Sequence, residues 1–185
     1  LTGAESNDVY RSVFSIFKSR SIWLVTNLFA TIVAASVVGE FQDIIAQLSI
    51  LAVLMPIVAS MGGTTGQQTL AVVVRSLATK ELNSRNALRM IGKEFMVGLC
   101  NGLLFAVMIG IAVRIWFPGQ EMISYIIALA MLCNLTVASL AGILIPLTIN
   151  RLKIDPAIAS GVFLIACTDS GGYFIFLGLA KLLLF

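Results

Sequence analysis

The last apolar stretch of this sequence, residues 156–180, decides the class of fold. It reads PAIASGVFLIACTDSGGYFIFLGLA, and Asp169 is its only charged residue. A helix of about 20 mainly apolar residues crosses the roughly 30 Å hydrocarbon core of a bilayer. The stretch therefore predicts a transmembrane helix with a carboxylate near its middle.

Four stretches without a charged residue precede it and predict four further spans. They are Ser21 to Gly39, Ile44 to Val74, Phe95 to Val113 and Met122 to Asn150. The composition agrees, because 59% of the residues are hydrophobic and 11% are charged, whereas soluble domains carry about a quarter charged residues. We predict an all-α polytopic protein with five transmembrane helices, surrounded by lipid bilayer and located as a multi-pass protein in the inner or plasma membrane.

The basic residues predict the orientation of the chain. Most lie before the first span, after the second or after the fourth, at Arg11, Lys18, Arg20, Arg75, Lys80, Arg85, Arg89, Lys93, Arg151 and Lys153. The positive-inside rule then puts the N-terminus in the cytoplasm and the C-terminus outside. We expect residues 1–20 to be a cytoplasmic lead-in or connecting helix and residues 21–185 to be the membrane domain. The polar N-terminus lacks an initiator Met and a signal-peptide pattern, so we interpret the chain as cut from a longer protein.

Several function classes are excluded by residues that are missing or poorly spaced. The sequence contains no histidine, which removes Ser-His and Cys-His nucleophiles and imidazole metal ligands. Cys100, Cys133 and Cys167 show no Cys-x-x-Cys spacing for zinc. The net charge of +3 is interpreted as a topology signal, so we expect no nucleic-acid partner. Because histidine chemistry is excluded, we also expect that the protein is not an enzyme.

The second stretch is interrupted by Pro56 and by residues 62–69, GGTTGQQT. Proline and clustered glycines weaken a helix, which predicts a kink or a locally unwound segment at membrane depth. The alternative is a tight helix crossing with the glycines at the contact.

Other small and polar residues predict packing between helices. Gly98, Gly102, Ala106 and Gly110 form a ridge that lets another helix approach closely. Asn101 and Asn134 are interpreted as partners in hydrogen bonds between helices. The connector from Arg75 to Lys93 is either an amphipathic helix on the inner leaflet or a continuation of the second span.

Asp169 is the candidate functional residue. A mid-membrane aspartate costs about 2.5–3.5 kcal/mol on insertion scales, and no Lys or Arg inside a span offsets it. Two copies meeting on a symmetry axis would match one divalent cation, and Mg²⁺ suits a site with one or two carboxylates because it keeps several waters. Thr168, Ser170 and carbonyls freed around Gly62-Gly63 or Gly171-Gly172 are expected to complete the polar wall. The alternative is a protonated acid that is hydrogen-bonded to a neighbouring helix.

Several segments resemble the transmembrane domain of MgtE magnesium channels over essentially the whole chain. The most specific are PIVASMGGTTGQQT at 56–69, DPAIASG at 155–161 and Thr168-Asp169 followed by FIFLGLA at 174–180. RSIWL at 20–24 and VGLCNG at 97–102 are also similar to that family.

The resemblance implies a homodimer with five helices per subunit and a pore on its two-fold axis, which passively conducts hydrated Mg²⁺ held by Asp169 of each subunit. Mn²⁺ or Ca²⁺ are other candidate ions. We expect the pore wall and the contacts to ion-bound water to come from Pro56, Gly62, Gly63, Thr64, Gln67, Ile165, Thr168 and Ser170. The family usually carries a cytoplasmic helical domain and a tandem CBS module. The sequence holds neither, which is expected of an excised pore domain or of a variant gated differently.

Two positions depart from the family pattern. Thr64 stands where the family commonly has Asn, and Ser170-Gly171-Gly172 stands where apolar residues often follow Thr-Asp. We therefore expect contacts to ion-bound water to differ here. Glu40 and Asp43, predicted outside, either concentrate cations at an entrance or are solvated loop acids.

Three other functions fit parts of the same pattern. A transporter coupled to sodium or protons also uses broken helices and midplane acids. An intramembrane aspartyl protease is a remote alternative, because Asp169-Ser170-Gly171 matches the Asp-Ser/Thr-Gly triplet. A scaffold protein would leave the intramembrane carboxylate unexplained.

Overall fold

The computed structural model describes residues 12–82 and 86–184, so Arg11, Arg85 and most of the predicted lead-in lie outside the described residues. Within these ranges the chain forms six α-helices and no strand. They are α1 (Val13–Gly39), α2 (Gln42–Gln47), α3 (Ile50–Ala78), α4 (Ala87–Trp116), α5 (Glu121–Arg151) and α6 (Pro156–Leu184). All except α2 are long and apolar enough to cross a membrane, which confirms the five predicted spans.

The helix ends differ from the charge-free stretches. Ile44 belongs to the short helix α2, and the second span begins only at Ile50. The helix α1 begins at Val13 and therefore includes Lys18 and Arg20. Basic residues are tolerated there because their long side chains can reach the headgroups while the backbone remains helical. Since α1 continues through Arg20, the proposed domain boundary at residue 20 stays a prediction.

The connector between the second and third spans contains no separate amphipathic helix in its described part. Helix α3 continues the second span to Ala78, and α4 begins at Ala87. Between them, Leu82 is 6% exposed and packs with Val73 of α3 and Ile143 of α5. The connector residue Leu82 therefore belongs to the core of the bundle, and the prediction of a helix on the leaflet surface is wrong.

Helix α5 is the centre of the bundle. It packs against α3, α4 and α6, whereas α1 lies at the edge and contacts α6. In their most apolar windows, 61% of the residues of α5 are buried, compared with 11% of those of α1. Helix α5 therefore sets the spacing among the other helices.

The contact between α4 and α5 uses the predicted small-residue ridge. A Cβ atom on Gly98 would lie 2.8 Å from Ser139 Cβ, and one on Gly102 would lie 2.9 Å from the backbone oxygen of Leu132. Gly98, Gly102 and Ala106 are all buried. The ridge therefore allows close backbone approach, as predicted.

The outer surface of the bundle is apolar. Phe29 is 66% exposed, Val107 is 61% exposed and Ile115 is 75% exposed. A soluble monomer rarely presents large continuous apolar patches. These side chains suit contact with lipid tails, so the protein is a multi-pass membrane protein.

We expect Gly102→Ala to lower the free energy of unfolding by about 1–3 kcal/mol, because the added methyl group meets the backbone of α5. The matched control is Gly92→Ala on the same helix, where nothing lies within 4 Å of the added Cβ. Thermal unfolding in detergent measures both variants. Equal stability of the two would contradict the proposed α4–α5 contact.

Candidate ion-binding site

The glycine segment of α3 is a continuous α-helix. Helix α3 runs from Ile50 to Ala78 and includes Pro56 as well as residues 62–69. The prediction of an unwound segment is wrong, and the carbonyl groups of Gly62 and Gly63 are not freed for an ion. A kink at Pro56 stays a prediction.

These glycines serve close helix packing. A Cβ atom on Gly66 would lie 3.0 Å from Leu164 Cδ1 of α6 and 3.3 Å from the backbone oxygen of Ala138 of α5. One on Gly142 of α5 would lie 2.6 Å from the backbone oxygen of Gly66. The alternative of a tight helix crossing is therefore confirmed, and it brings α3, α5 and α6 together at one level.

Asn134 occupies the centre of this crossing. Its side chain is 1% exposed, and its Nδ2 donates a 2.7 Å hydrogen bond to the backbone oxygen of Val58 on α3. The predicted bond between helices is confirmed for Asn134. Within the described part of the chain, Asn101 makes no such bond.

Helix α6 carries Asp169 and is also continuous, from Pro156 to Leu184. Its helical backbone retains the carbonyls of Gly171 and Gly172, so the prediction that they are freed for an ion is wrong. At its start, Asp155 Oδ1 accepts a 2.9 Å hydrogen bond from the backbone N–H of Ala157. This bond satisfies one of the donors that every helix start leaves unpaired.

Asp169 is half-buried near the middle of α6. Across residues 12–82 and 86–184, no side chain hydrogen-bonds to its carboxylate and no base forms an ion pair with it. The same residues contain no group of three or more His, Cys, Asp or Glu side chains that could hold a metal. A single chain therefore supplies one carboxylate without a hydrogen-bonded neighbour. The alternative, a protonated acid hydrogen-bonded to a neighbouring helix, would require such a neighbour.

Thr168 and Ser170 flank this carboxylate but differ in environment. Thr168 is 1% exposed, and its hydroxyl donates to the backbone oxygens of Leu164 at 3.0 Å and Ile165 at 3.2 Å. The Ser170 hydroxyl is buried without a hydrogen-bond partner among the described residues. Ser170 is therefore the neighbour of Asp169 whose hydroxyl lacks a partner among the described residues, and this hydroxyl is closed to solvent in the single chain.

Two further predicted pore residues line one cavity. Gln67 of α3 and Ile165 of α6 face a space of about 970 Å³ between α1, α3 and α6. Most of its wall is apolar, and its polar side chains are Arg20, Asn27, Gln67 and Arg75. Residues four apart share a face of a helix, so Ile165 puts the cavity one turn from Asp169 on the same face of α6.

The remaining predicted site residues lie on exposed surfaces or at helix contacts. Pro56 and Thr64 are exposed, and the Thr64 hydroxyl donates to the backbone oxygen of Ser60 at 2.8 Å. A Cβ atom on Gly63 would lie 3.9 Å from Thr168 Oγ1, which puts Gly63 beside α6. Glu40 and Asp43 are exposed on either side of the break between α1 and α2.

A second carboxylate within a membrane helix was missed from the sequence. Glu94 lies inside α4, and its Oε2 accepts a 2.8 Å hydrogen bond from Thr69 Oγ1 of α3. Because Glu94 directly precedes the charge-free stretch that begins at Phe95, its position marked it as a span boundary. Nothing in the sequence indicated that Thr69 would reach it.

Five membrane-spanning helices, with a half-buried carboxylate in the last one that has no partner among the described residues, define a class: polytopic membrane proteins with an intramembrane acid of the kind that marks ion pathways. The family model described as "MgtE: Divalent cation transporter" matches residues 55–179. The chain belongs to the MgtE family.

Three curated proteins, each named magnesium transporter MgtE, are similar to the chain. That of Bacillus subtilis is 35% identical over 85% of this chain and 35% of its own length. That of Enterococcus faecalis is 35% identical over 98% of this chain and 40% of its own length. That of Thermus thermophilus is 29% identical over 92% of this chain and 37% of its own length. The chain thus spans well under half the length of these relatives.

The neighbouring glycines of α3 should respond differently to the same substitution. Gly62→Ala meets the buried side chain of Asn134, whereas Gly63→Ala finds its nearest atom at 3.9 Å. We expect Gly62→Ala to cost about 1–3 kcal/mol of unfolding free energy through overpacking. Gly63→Ala should be neutral or stabilising by up to about 1 kcal/mol, because alanine favours helix. Thermal unfolding of both variants tests the pair, and a larger loss for Gly63→Ala would refute the orientation of α3.

Proposed function

We propose that this chain forms the pore of a magnesium channel, which works as a homodimer and passively conducts hydrated Mg²⁺. The observation that carries the proposal is Asp169, a half-buried carboxylate in a membrane helix without a hydrogen-bonding or ion-pairing neighbour among the described residues. A cation supplied from solution would offset its cost in the membrane.

Charge and hydration favour a divalent ion shared by two subunits. One carboxylate from each of two chains gives a formal charge that matches Mg²⁺. This ion gives up its waters reluctantly and is commonly bound through one or two carboxylates. The three curated relatives are named magnesium transporters, which supports the same ion for this chain.

The surroundings of Asp169 support passive conduction. Among the described residues no group of three or more His, Cys, Asp or Glu side chains could hold a metal, so one aspartate per chain would be the main fixed ligand. Ions pass through a channel when their sites bind them strongly enough for entry but weakly enough for exit. Water held between the ion and Asp169 would meet this condition, and the exposed hydroxyl of Thr64 offers another water contact.

We further propose that the N-terminal side of the pore faces the cytoplasm. The basic residues at the start of α1 and the end of α3 support this orientation. Glu40 and Asp43 would then face outside, where they would concentrate cations near the entrance.

Asp169→Asn should lower Mg²⁺ flux by at least about tenfold, the scale on which changes at metal sites act. Proteoliposomes that contain a magnesium-sensitive dye measure the flux. The matched control is Glu121→Gln, which neutralises an exposed carboxylate paired at 2.7 Å with Arg114. An exposed ion pair contributes little stability, so the flux through Glu121→Gln should equal that of the wild type.

Wild-type flux through Asp169→Asn would refute the proposed role. A different outcome separates the channel from a coupled transporter: flux that requires a sodium or proton gradient would refute passive conduction. Ohmic current with Mg²⁺ as the only permeant cation would support it. The same recordings with Mn²⁺ and Ca²⁺ define the selectivity.

The homodimer should place the two copies of Asp169 near its axis. In a background where Cys100, Cys133 and Cys167 are replaced by alanine, Asp169→Cys should be cross-linked between subunits by a short bis-thiol reagent. Direct disulfide formation is not expected, because ion-bound water separates the carboxylates while a disulfide needs Cα atoms about 4–7 Å apart. The control is Leu88→Cys on the exposed surface of α4. Equal cross-linking at both positions would contradict the axial placement.

A further inference from the structure

We infer that Asn134 of α5 is a positioning residue for Asp169, because one buried amide fixes both α3 and α6 at the level of the carboxylate. The inference rests on the proposed function of Asp169 and adds a residue of a different helix to it. Asn134 itself does not touch the ion.

The contact with α3 is a hydrogen bond and a tight fit. Asn134 Nδ2 donates to the backbone oxygen of Val58 at 2.7 Å. The same amide fills the space above Gly62, where an added Cβ would lie 3.0 Å from Asn134 Cγ. Residues 58 and 62 are one helical turn apart, so the amide spans one turn of α3.

The contact with α6 is made by the same amide. A Cβ atom on Gly172 would lie 3.2 Å from Asn134 Nδ2 and 3.3 Å from its Oδ1. Gly172 is buried at this contact. Since Asn134 is 1% exposed and its amide is close to both Gly62 and Gly172, its side chain has little room to move.

Asp169 lies between two anchored points of α6. Leu164, five residues before it, has its Cδ1 3.0 Å from a Cβ added at Gly66 of α3, and Gly172, three residues after it, packs on Asn134. A helix held on both sides of one residue keeps that residue at a fixed distance from its neighbours. Shifts of about 0.5 Å are enough to impair an ion or catalytic site, so Asn134 sets the separation on which the carboxylate depends.

The amide has a chemical advantage over an apolar residue of similar size. Leucine could fill the space, but it could not bond to Val58. No water competes for that bond inside a membrane, where measured bonds between helices contribute about 0.6 kcal/mol on average. Asparagine at this position therefore acts mainly by fixing α3, α5 and α6 relative to one another, and it adds only modestly to stability.

Four variants test the inference in proteoliposomes: Asn134→Ala, Gly172→Ala, the double variant and Gly171→Ala. Mg²⁺ titration of flux gives the apparent affinity, and the Mg²⁺ to Ca²⁺ flux ratio gives the selectivity, each normalised to folded dimer. Each of the first two should weaken the apparent Mg²⁺ affinity by about tenfold, as losses around metal ligands do. Gly171→Ala is the matched control, because nothing lies within 4 Å of its added Cβ.

The apparent Mg²⁺ affinity of the double variant should be closer to the wild-type value than the sum of the two single effects predicts. The reason is that the methyl group on residue 172 takes the space vacated by the amide. Groups in contact show such non-additive effects, whereas independent groups do not. If Asn134→Ala fails to fold, Gly172→Ala still perturbs the contact from α6 and keeps the bond to Val58.

Unchanged affinity and selectivity in folded Asn134→Ala or Gly172→Ala, or additive effects in the double variant, would overturn the inference. Asp169→Asn in the same assay separates this result from a failure of the proposed function. Lost flux in Asp169→Asn, together with normal affinity and selectivity in Asn134→Ala, would refute only the positioning role. Normal flux in Asp169→Asn would remove both.

Discussion

Backbone polar groups inside a membrane must be satisfied within the protein, and this constraint governs every helix of the bundle. Each of the five spans meets it as a continuous helix. The constraint holds even in α3, where Pro56 and a run of glycines weaken the helix on its own. Packing against neighbouring helices stabilises this weak part of α3, because its glycines allow α5 and α6 to approach closely.

Close contact around α5 then determines what the rest of the bundle can do. Helix α5 contacts three other spans, and each of these contacts includes small residues that permit near-backbone approach. Asn134 adds a directional bond to this packing. Helix α6, which carries Asp169, is thereby held against α3 and α5, and its carboxylate stays half-buried. An acid in such a place is costly alone and useful with a cation, which links the packing of the bundle to its proposed activity.

The sequence showed for some of the small residues, but not for all, that their role is helix packing. The ridge of Gly98 and Gly102 could be assigned to packing, because its spacing matches a helix face. The glycines of α3 could not be assigned in the same way. Their spacing suits a crossing as well as a break, and only partner atoms within 3–4 Å of each added Cβ distinguish the two. Glu94 was missed for a related reason: its partner Thr69 is distant in sequence.

The class of this protein, the number of its spans and the isolation of Asp169 could all be predicted before any packing was known. These properties follow from hydrophobic length and from the absence of charge, which are local along the chain. It took the folded bundle to establish that α3 stays helical, that α5 is central and that Asn134 joins Val58, Gly62 and Gly172. Those features depend on which faces of distant helices meet, and the similar apolar character of all the spans leaves that choice to the packing of their side chains.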